Sequence, residues 1–372
     1  MFMWLVIFGL TIAGTIAGII YLFTRFMRFD TVRRIAGDRK GVRIMLALIP
    51  ILIGVCFFIK DSVNTIVVVL NLMLFWILGD FITWIAGKVR KVPKKGGKSS
   101  GPYYTGIAVI VFTTVYLCVG WYLAHHVFRT VYDLKTDKDL GQDTLKVVLF
   151  ADSHIGTTFD GEGFAGHMKT IGQENPDLVL IAGDYVDDDS VKEDMVRACK
   201  ALGELETTCG VYYVFGNHDK GYYNGRDFSY DDLVGELKKN GVVVLEDESV
   251  LLNDSFYLIG RKDKSDAERK SAGELTQGLD TDKYILMLDH QPNDYTEESL
   301  AGADLVLSGH THGGQLIPIT KVGEWIGAND STYGYQKRDG TEFIVTSGIS
   351  DWAIKFKTGT KSEYVVINIE GK

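Results

Sequence analysis

The chain is short of cysteine, with four in 372 residues, and no two of them form a CxxC pair. That absence excludes a metal or redox site of the CxxC type. Cys56 and Cys118 lie in apolar stretches, where we expect them to pack. Cys199 and Cys209 are ten residues apart, and we expect two free thiols there, with a disulfide as the alternative.

Basic residues are scarce in the larger, C-terminal part of the chain. From Arg129 onward there are 25 lysines and arginines against 44 acidic residues, a net charge of −19. Residues 1–128 carry 14 against four, a net charge of +10. An acidic domain lacks the basic surface that phosphate backbones require, so we expect no nucleic-acid binding. The N-terminal positive charge lies between apolar runs, which points to membrane topology.

Four apolar stretches precede the acidic part, at about residues 2–24, 44–59, 65–87 and 104–127. A membrane-spanning helix needs roughly 20 apolar residues, and the second stretch is the shortest. The first stretch lacks a positively charged start and a small-residue cleavage site, so it does not match a signal peptide. We predict an all-α bundle of about four transmembrane helices in residues 1–128. For Asp80, an ionisable residue inside the third stretch, we favour helix packing over contact with a substrate head group.

The loops between these stretches predict how the chain is oriented. Residues 25–43 carry seven lysines and arginines and residues 88–102 carry six, whereas the loop after the second stretch has only Lys60. Basic loops stay in the cytoplasm. We therefore predict a multi-pass protein of the cell membrane, in contact with membrane lipids, whose domain beyond residue 128 is extracytoplasmic.

Beyond a polar linker at residues 129–144, short apolar runs alternate with helix-like segments. Such runs are typical of strands buried on both faces in an α/β domain, which we place at residues 145–372. Five of the runs end in polar residues, where the sites of α/β sheets usually lie. These residues are Asp152, His154, Asp184, Asn217, His218, His290, His310 and His312.

Histidine is also scarce, and its distribution is uneven. Six of the eight histidines lie beyond residue 128, and five of those six follow predicted strands. Two divalent cations need roughly four ligands each, with one carboxylate placed to bridge them. A mixture of Asp, Asn and His suits Mn, Fe, Zn or Co rather than Ca. Asp152 and His154, two apart on an extended segment, point the same way and can share a metal, and the same geometry applies to His310 and His312.

The strings DSH, GDYVDD, GNHD, LDHQP and SGHTHGGQ, in that order, resemble the calcineurin-like metallophosphoesterase superfamily. The longer strings look most like its membrane-attached bacterial phosphoesterases, and the resemblance covers about residues 145–370. It implies a four-layer αββα sandwich of two mixed sheets. It also implies a phosphate-ester hydrolase with two divalent metal ions, Mn, Zn or Fe, in which a metal-bridging water attacks phosphorus in line.

The resemblance also assigns roles by motif. It implies one metal at Asp152, His154, Asp184 and His312, and a second at Asp184, Asn217, His290 and His310. His218 would stabilise the transition state or protonate the leaving oxygen, with Asp219 orienting it.

Two departures from related patterns bear on these roles. Purple acid phosphatases have DxG where this chain has His154, and a tyrosine ligand in GDxxY where it has Asp187, so a tyrosinate–iron(III) site is not expected. The family often shows an arginine near the C-terminus, where this chain offers Lys355 and Lys357. Lys355 and Arg261 are therefore our candidate phosphate contacts, with a solvated loop charge as the alternative for Arg261.

The membrane anchor favours a phosphodiester or pyrophosphate of a lipid or envelope substrate. The alternatives are a tethered phosphoesterase for soluble extracellular phosphodiesters or nucleotides, and a non-catalytic membrane sensor. Most of the remaining acids are expected as surface charge or helix caps, namely Asp160, Asp187, Asp188 and Asp189. Four aromatics either line a substrate entrance facing the membrane or belong to the core, namely Trp325, Tyr333, Tyr335 and Trp352.

Overall fold

The computed structural model describes residues 2–89, 103–222 and 225–372 and divides the chain into two compact units, Met1–Gly120 and Trp121–Lys372. The second basic loop, residues 88–102, lies mostly outside the described residues. The first unit is helical. Its helices are α1 Phe2–Phe26, α2 Asp30–Ala36, α3 Lys40–Lys60, α4 Ser62–Val89 and α5 Tyr104–His125, whose last residues belong to the second unit.

All but α2 of these helices are long and apolar enough to cross a membrane. Their apolar side chains are largely exposed, and the small buried cluster of the unit contains Leu22, Trp76 and Val109. A bundle with so much exposed apolar surface is suited to lipid rather than water. The four predicted membrane-length helices are confirmed, and the chain is membrane-associated.

Asp80 joins elements within the first unit. Its carboxylate lies 2.7 Å from the guanidinium of Arg25 and accepts hydrogen bonds from the hydroxyls of Tyr21 and Tyr103. An ionised group among membrane-length helices is costly unless it is paired. These contacts bear out the expectation that Asp80 is a helix-packing residue.

The second unit contains two six-stranded mixed sheets. In chain order the strands are β1 Phe128–Lys135, β2 Thr144–Phe150, β3 Leu178–Ala182, β4 Gly210–Val214, β5 Val243–Val244, β6 Glu248–Leu252, β7 Phe256–Gly260, β8 Tyr284–Leu288, β9 Leu305–Ser308, β10 Gly334–Arg338, β11 Thr341–Val345 and β12 Glu363–Glu370. The first sheet has the order β1-β12-β2-β3-β4-β5, and the second has the order β10-β11-β9-β8-β7-β6.

Helices cover the outer face of each sheet. They are α6 Gly161–Gly172, α7 Lys192–Gly203, α8 Tyr230–Lys239, α9 Ala272–Thr276 and α10 Tyr295–Leu300. The short helix α11 Val322–Trp325 has no buried residue and lies on the surface. Side chains alternate across each strand, so Leu149 packs between the sheets while Phe150 packs under the helices. The predicted four-layer αββα sandwich is confirmed. Cys199 and Cys209 are buried and free, as expected.

The topology gathers the carboxyl ends of the central strands at one edge of each sheet. β2, β3 and β4 run parallel in the first sheet, and β7, β8, β9 and β11 run parallel in the second. The segments that follow β2, β3, β4, β8 and β9 carry all of the predicted ligands. The fold therefore places five separate segments where one site can form.

The segment predicted as a linker, residues 129–144, is in part a strand. β1 pairs in parallel with β12 along its whole length, from Phe128 opposite Glu363 to Lys135 opposite Glu370. Its side chains are alternately half-buried and exposed, as at the edge of a sheet. A half-exposed strand of mixed polarity resembles a polar linker in sequence, because its partner lies more than 200 residues away.

Arg261, a candidate phosphate contact, lies instead in a buried ion-pair cluster, so that prediction is wrong. Arg261 is only 2% exposed to solvent. The Nη1 atom lies 2.8 Å from Oδ2 of Asp289, 3.2 Å from Oε1 of Glu298 and 3.3 Å from Oδ2 of Asp294. A guanidinium surrounded by carboxylates is not available to an external phosphate, and its role is to join β7 to the segment around α10.

We expect Arg261→Met to lower the free energy of unfolding by about 3–5 kcal/mol, because it takes from the buried Glu298 its cation and leaves Asp289 with Arg269 alone. The measurement is the denaturant midpoint of the detergent-solubilised chain. Lys262→Met is the matched control: Lys262 lies 3.9 Å from Asp266 near the surface, and its loss should cost less than about 1 kcal/mol. Equal midpoints for the two variants would contradict the structural role.

Candidate metal centre

The predicted ligands adopt unusual backbone conformations. Asp152, His154, Asp184, His310 and His312 all have positive φ, between 36° and 70°. Residues other than glycine rarely take this conformation, and it persists only where surrounding contacts impose it. Two such contacts are the hydrogen bonds from the amide of Asp152 to the carbonyl of Gly183 and from the amide of His154 to that of Asp184. This clustering of local strain is typical of a functional site.

Glycines let the backbone approach these side chains. A Cβ atom on Gly216 would lie 2.1 Å from Oδ1 of Asp184, and one on Gly309 would lie 2.5 Å from the Cβ of Ala151. Neither contact is sterically allowed. The glycines before Asn217 and His310 are therefore part of the geometry that brings the strand ends together.

Asp152, His154 and His312 form one group of donors that could hold a metal ion. The Nε2 atoms of the two histidines lie 3.3 Å apart, and Nε2 of His312 lies 3.9 Å from Oδ1 of Asp152. All three residues are buried. Burial and the neighbouring charge of His154 hold the pKa of His312 well below its usual range, which favours the neutral imidazole that binds metals.

Asp184, His290 and His310 form a second group. The Nε2 atom of His290 lies 3.2 Å from Nδ1 of His310, 3.2 Å from Oδ2 of Asp184 and 3.3 Å from Oδ1 of Asn217. Asn217 donates through Nδ2 to the hydroxyl of Tyr222, so its Oδ1 atom faces the histidines. The Nδ1 atom of His290 lies 2.7 Å from the carbonyl of Ala182, which orients the ring.

Asp184 lies between the two groups. Its Oδ2 atom is 3.9 Å from Nε2 of His154 and 3.2 Å from Nε2 of His290, and its Oδ1 atom accepts a hydrogen bond from the amide of His218. Burial acts to raise the pKa of this carboxyl, but the charges of His290 and His154 outweigh it and lower the pKa. Asp184 is therefore an ionised carboxylate shared by both groups.

The chemistry of this donor set fits divalent metal ions. Carboxylate and amide oxygens converge with four imidazole nitrogens in a buried space, and imidazole with hard oxygen donors suits Mn, Fe or Zn. The two histidines that the sequence places one residue apart, His310 and His312, belong to different groups.

Asp187 belongs to the site, although it was expected as surface charge or a helix cap. It is 7% exposed, its Oδ2 atom lies 3.1 Å from Nδ1 of His154, and its Oδ1 atom lies 3.4 Å from Nδ1 of His218. The signal that could have identified it was its place in GDYVDD, where a related branch has a metal-binding tyrosine. Among the other acids, Asp160 does cap α6, by accepting from the amide of Gly163.

Asp219 does not orient His218, so that prediction is corrected. It is fully buried, and its oxygens accept hydrogen bonds from the amides of Gly216, Asp184, Tyr185 and Val186 at 2.7–3.1 Å. Four amide donors account for most of the capacity of one carboxylate. Asp219 therefore fixes the backbone turn that presents Asp184, and Asp187 is the carboxylate beside the His218 ring.

The segment from Ser347 to Lys357 adjoins the site. The Nζ atom of Lys357 donates to the carbonyls of Ser347 and Ser350 at 2.7 and 3.0 Å and to Oγ of Ser362 at 3.0 Å. Burial lowers the pKa of Lys357 to about 8. Lys357 therefore supports the segment from inside, while Lys355 is exposed on it. The Trp352 ring lies 5.0 Å from that of His218.

Comparison with known proteins finds similar sequences for the second unit. The family model described as Calcineurin-like phosphoesterase matches residues 145–314. A metallophosphoesterase of Campylobacter jejuni is 30% identical over 237 residues, which is 61% of this chain and 60% of the relative. One of Aquifex aeolicus is 29% identical over 247 residues, 65% of this chain and 91% of the relative.

A third relative carries membrane segments by name. It is the transmembrane protein with metallophosphoesterase domain of Danio rerio, 28% identical over 234 residues, which is 59% of this chain and 52% of the relative. This chain thus spans between half and two thirds of the Campylobacter and Danio relatives. Over residues 145–314, the chain is thus similar to the calcineurin-like phosphoesterase family.

Proposed function

We propose that the chain is a membrane-anchored, metal-dependent phosphoesterase that works with two divalent cations. The observation that carries the proposal is the position of Asp184, whose Oδ2 atom is within 3.9 Å of a histidine nitrogen in each of the two donor groups. A carboxylate shared between two such groups is the arrangement that a pair of metals requires.

Each metal would take four ligands from the chain. Asp152, His154, Asp184 and His312 would hold one, and Asp184, Asn217, His290 and His310 would hold the other. When bound, such cations supply Lewis acidity, which lowers the pKa of water and offsets the charge of a phosphoryl group.

His218 would act on the leaving oxygen of the ester. Burial tends to lower the pKa of this histidine, but Asp187 and Asp184 outweigh burial and raise it, which favours the protonated ring near neutral pH. Asp187 lies beside Nδ1, so Nε2 is the nitrogen available for proton transfer to the leaving group. Asp187 is a positioning residue for both His154 and His218.

The proposed substrate is a phosphodiester or pyrophosphate of a lipid or envelope component, and the domain would lie outside the cytoplasm. Two features support this: the membrane-length helices and the basic loops at residues 25–43 and 88–102. Lys355, exposed on the segment next to Trp352, is proposed as a contact for the substrate phosphate.

Two variants of the full chain distinguish the metal-ligand role proposed for Asp184 from the general-acid role proposed for His218. Asp184→Ala should lose both bound metal and hydrolysis, because both donor groups lose their shared carboxylate. His218→Gln should keep its metal and lose about 10²–10⁴-fold in kcat, the usual contribution of a general acid. Metal content by elemental analysis and turnover of a phosphodiester are measured together. Retained activity in both variants would overturn the assignment.

Asp187→Asn should lower metal affinity or kcat by about 10–100-fold, the usual effect of removing a group that orients a ligand. Asp189→Asn is the matched control, because Asp189 lies two residues further along the same segment and is exposed. The control should retain the unmodified chain's metal content and kcat. If both substitutions have the same effect, Asp187 has no special role beside His154 and His218.

The orientation is tested by labelling single cysteines in a chain whose Cys56 and Cys118 are replaced by alanine. In intact cells an impermeant maleimide should label Asp137→Cys and should reach Lys95→Cys only after permeabilisation. The opposite pattern would place the domain in the cytoplasm.

The substrate class is tested with the full chain in detergent, supplied with Mn²⁺ or Zn²⁺ and offered a monoester, a diester and a lipid pyrophosphate. Preferred turnover of the lipid substrate supports the proposal. Preferred turnover of soluble diesters or nucleotides indicates a tethered enzyme for those substrates, and phosphate binding without turnover indicates a sensor.

A further inference from the structure

Residues 316–328, which follow His312 closely, form an exposed apolar segment of the second unit. Ile317, Ile319 and Trp325 are 51%, 53% and 69% exposed. Single exposed apolar residues are ordinary, but several large ones in one short segment usually mark a surface that contacts something other than water. We refer to residues 316–328 as the apolar segment.

The apolar segment is held in place by hydrogen bonds. The carbonyl of Gln315 accepts from the amides of Thr358 and Gly359 at 2.8 and 3.0 Å, and the amide of Ile317 donates to Oγ1 of Thr358 at 3.0 Å. The amide of Trp325 donates to the carbonyl of Lys321 at 3.0 Å, which closes α11. A segment fixed at its base next to two proposed ligands presents its apolar side chains in a defined place.

The segment carries little charge in a strongly acidic domain. Its two charged residues, Lys321 and Glu324, lie 3.4 Å apart and neutralise each other. The domain from Arg129 onward has a net charge of −19, so most of its surface is unsuited to an anionic lipid surface. The apolar segment has no net charge that an anionic lipid surface would repel. Its two charged side chains are paired, so docking would not remove water from an isolated ion.

We propose that the apolar segment docks on the phospholipid bilayer, with Ile317, Ile319 and Trp325 entering the interfacial region. We choose the bilayer as the partner because the described part of the same chain has four helices of membrane-spanning length. Tryptophan is enriched at the membrane interface, where an amphipathic ring meets the head groups. Docking would hold the edge that carries His310 and His312 next to lipid phosphates. It does not depend on the proposed catalysis.

Docking is tested directly by fluorescence quenching of the full chain in phosphatidylcholine–phosphatidylglycerol vesicles, with and without brominated acyl chains. The emission lost in Trp325→Phe gives the contribution of Trp325, separate from that of the five other tryptophans. We expect brominated lipid to quench that contribution by at least about half. If its intensity is the same in both vesicles, Trp325 contacts water or a second copy of the chain, and the proposal is overturned.

The consequence for activity is tested with a double variant, Ile319→Glu with Trp325→Glu. Two buried charges at the interface should abolish docking, so turnover of a vesicle-embedded phosphate ester should fall at least tenfold, while turnover of a water-soluble diester stays unchanged. Leu300→Glu is the matched control, since Leu300 is 84% exposed outside the segment. Unchanged turnover of the vesicle substrate would contradict docking. If the wild-type chain hydrolyses neither substrate, the proposed function fails, and the quenching experiment still decides the docking.

Discussion

The site depends on the burial of an ionised carboxylate, Asp184, between imidazoles supplied by four different segments. Burying a charge is costly unless it is surrounded by compensating groups. Here the compensation comes from His154 and His290 on either side and from the amide of His218. These groups must reach the carboxylate at once, so Asp184 and His154 accept positive φ, and Gly216 stands where a side chain would collide with Asp184. The strain in those loops is local, and the packed sandwich beneath them can bear it.

Two buried charges of opposite sign hold the loops from inside. Asp219 accepts four backbone amides around Asp184, and Lys357 donates to two backbone carbonyls in the segment beside Trp352. Neither side chain has to contact a substrate in order to shape the site, because each holds the backbone of a loop. Backbone groups in irregular loops need partners when water is excluded, and a charged side chain can satisfy several of them at once. The residues that shape the site are thus more numerous than those that form its donor groups.

Much of the architecture could be predicted from sequence because its signals are local. The apolar stretches indicated the long helices, and a polar residue after each of five short apolar runs indicated the site edge of an α/β sheet. Predictions failed where the deciding contact is distant in sequence. β1 looks like a linker until β12 lies beside it, Arg261 looks like a surface cation until Asp289 and Glu298 surround it, and Asp187 looks like one of several acids until His154 and His218 are in place. Asp219 was expected beside the His218 ring for the same reason, whereas Asp187 lies there: adjacency in the chain is a poor guide to which carboxylate meets a ring.

The parallel ladder between β1 and β12 also sets where the domain begins. Cutting the chain at residue 145, where the family match starts, would remove β1 and leave the eight residues of β12 as an open edge of the first sheet. An unprotected edge strand is a template for aggregation. The smallest piece of this protein that can be expected to remain soluble by itself therefore starts near the end of α5. β1, which looks like a linker in sequence, therefore covers β12, which would otherwise be an edge strand of the first sheet.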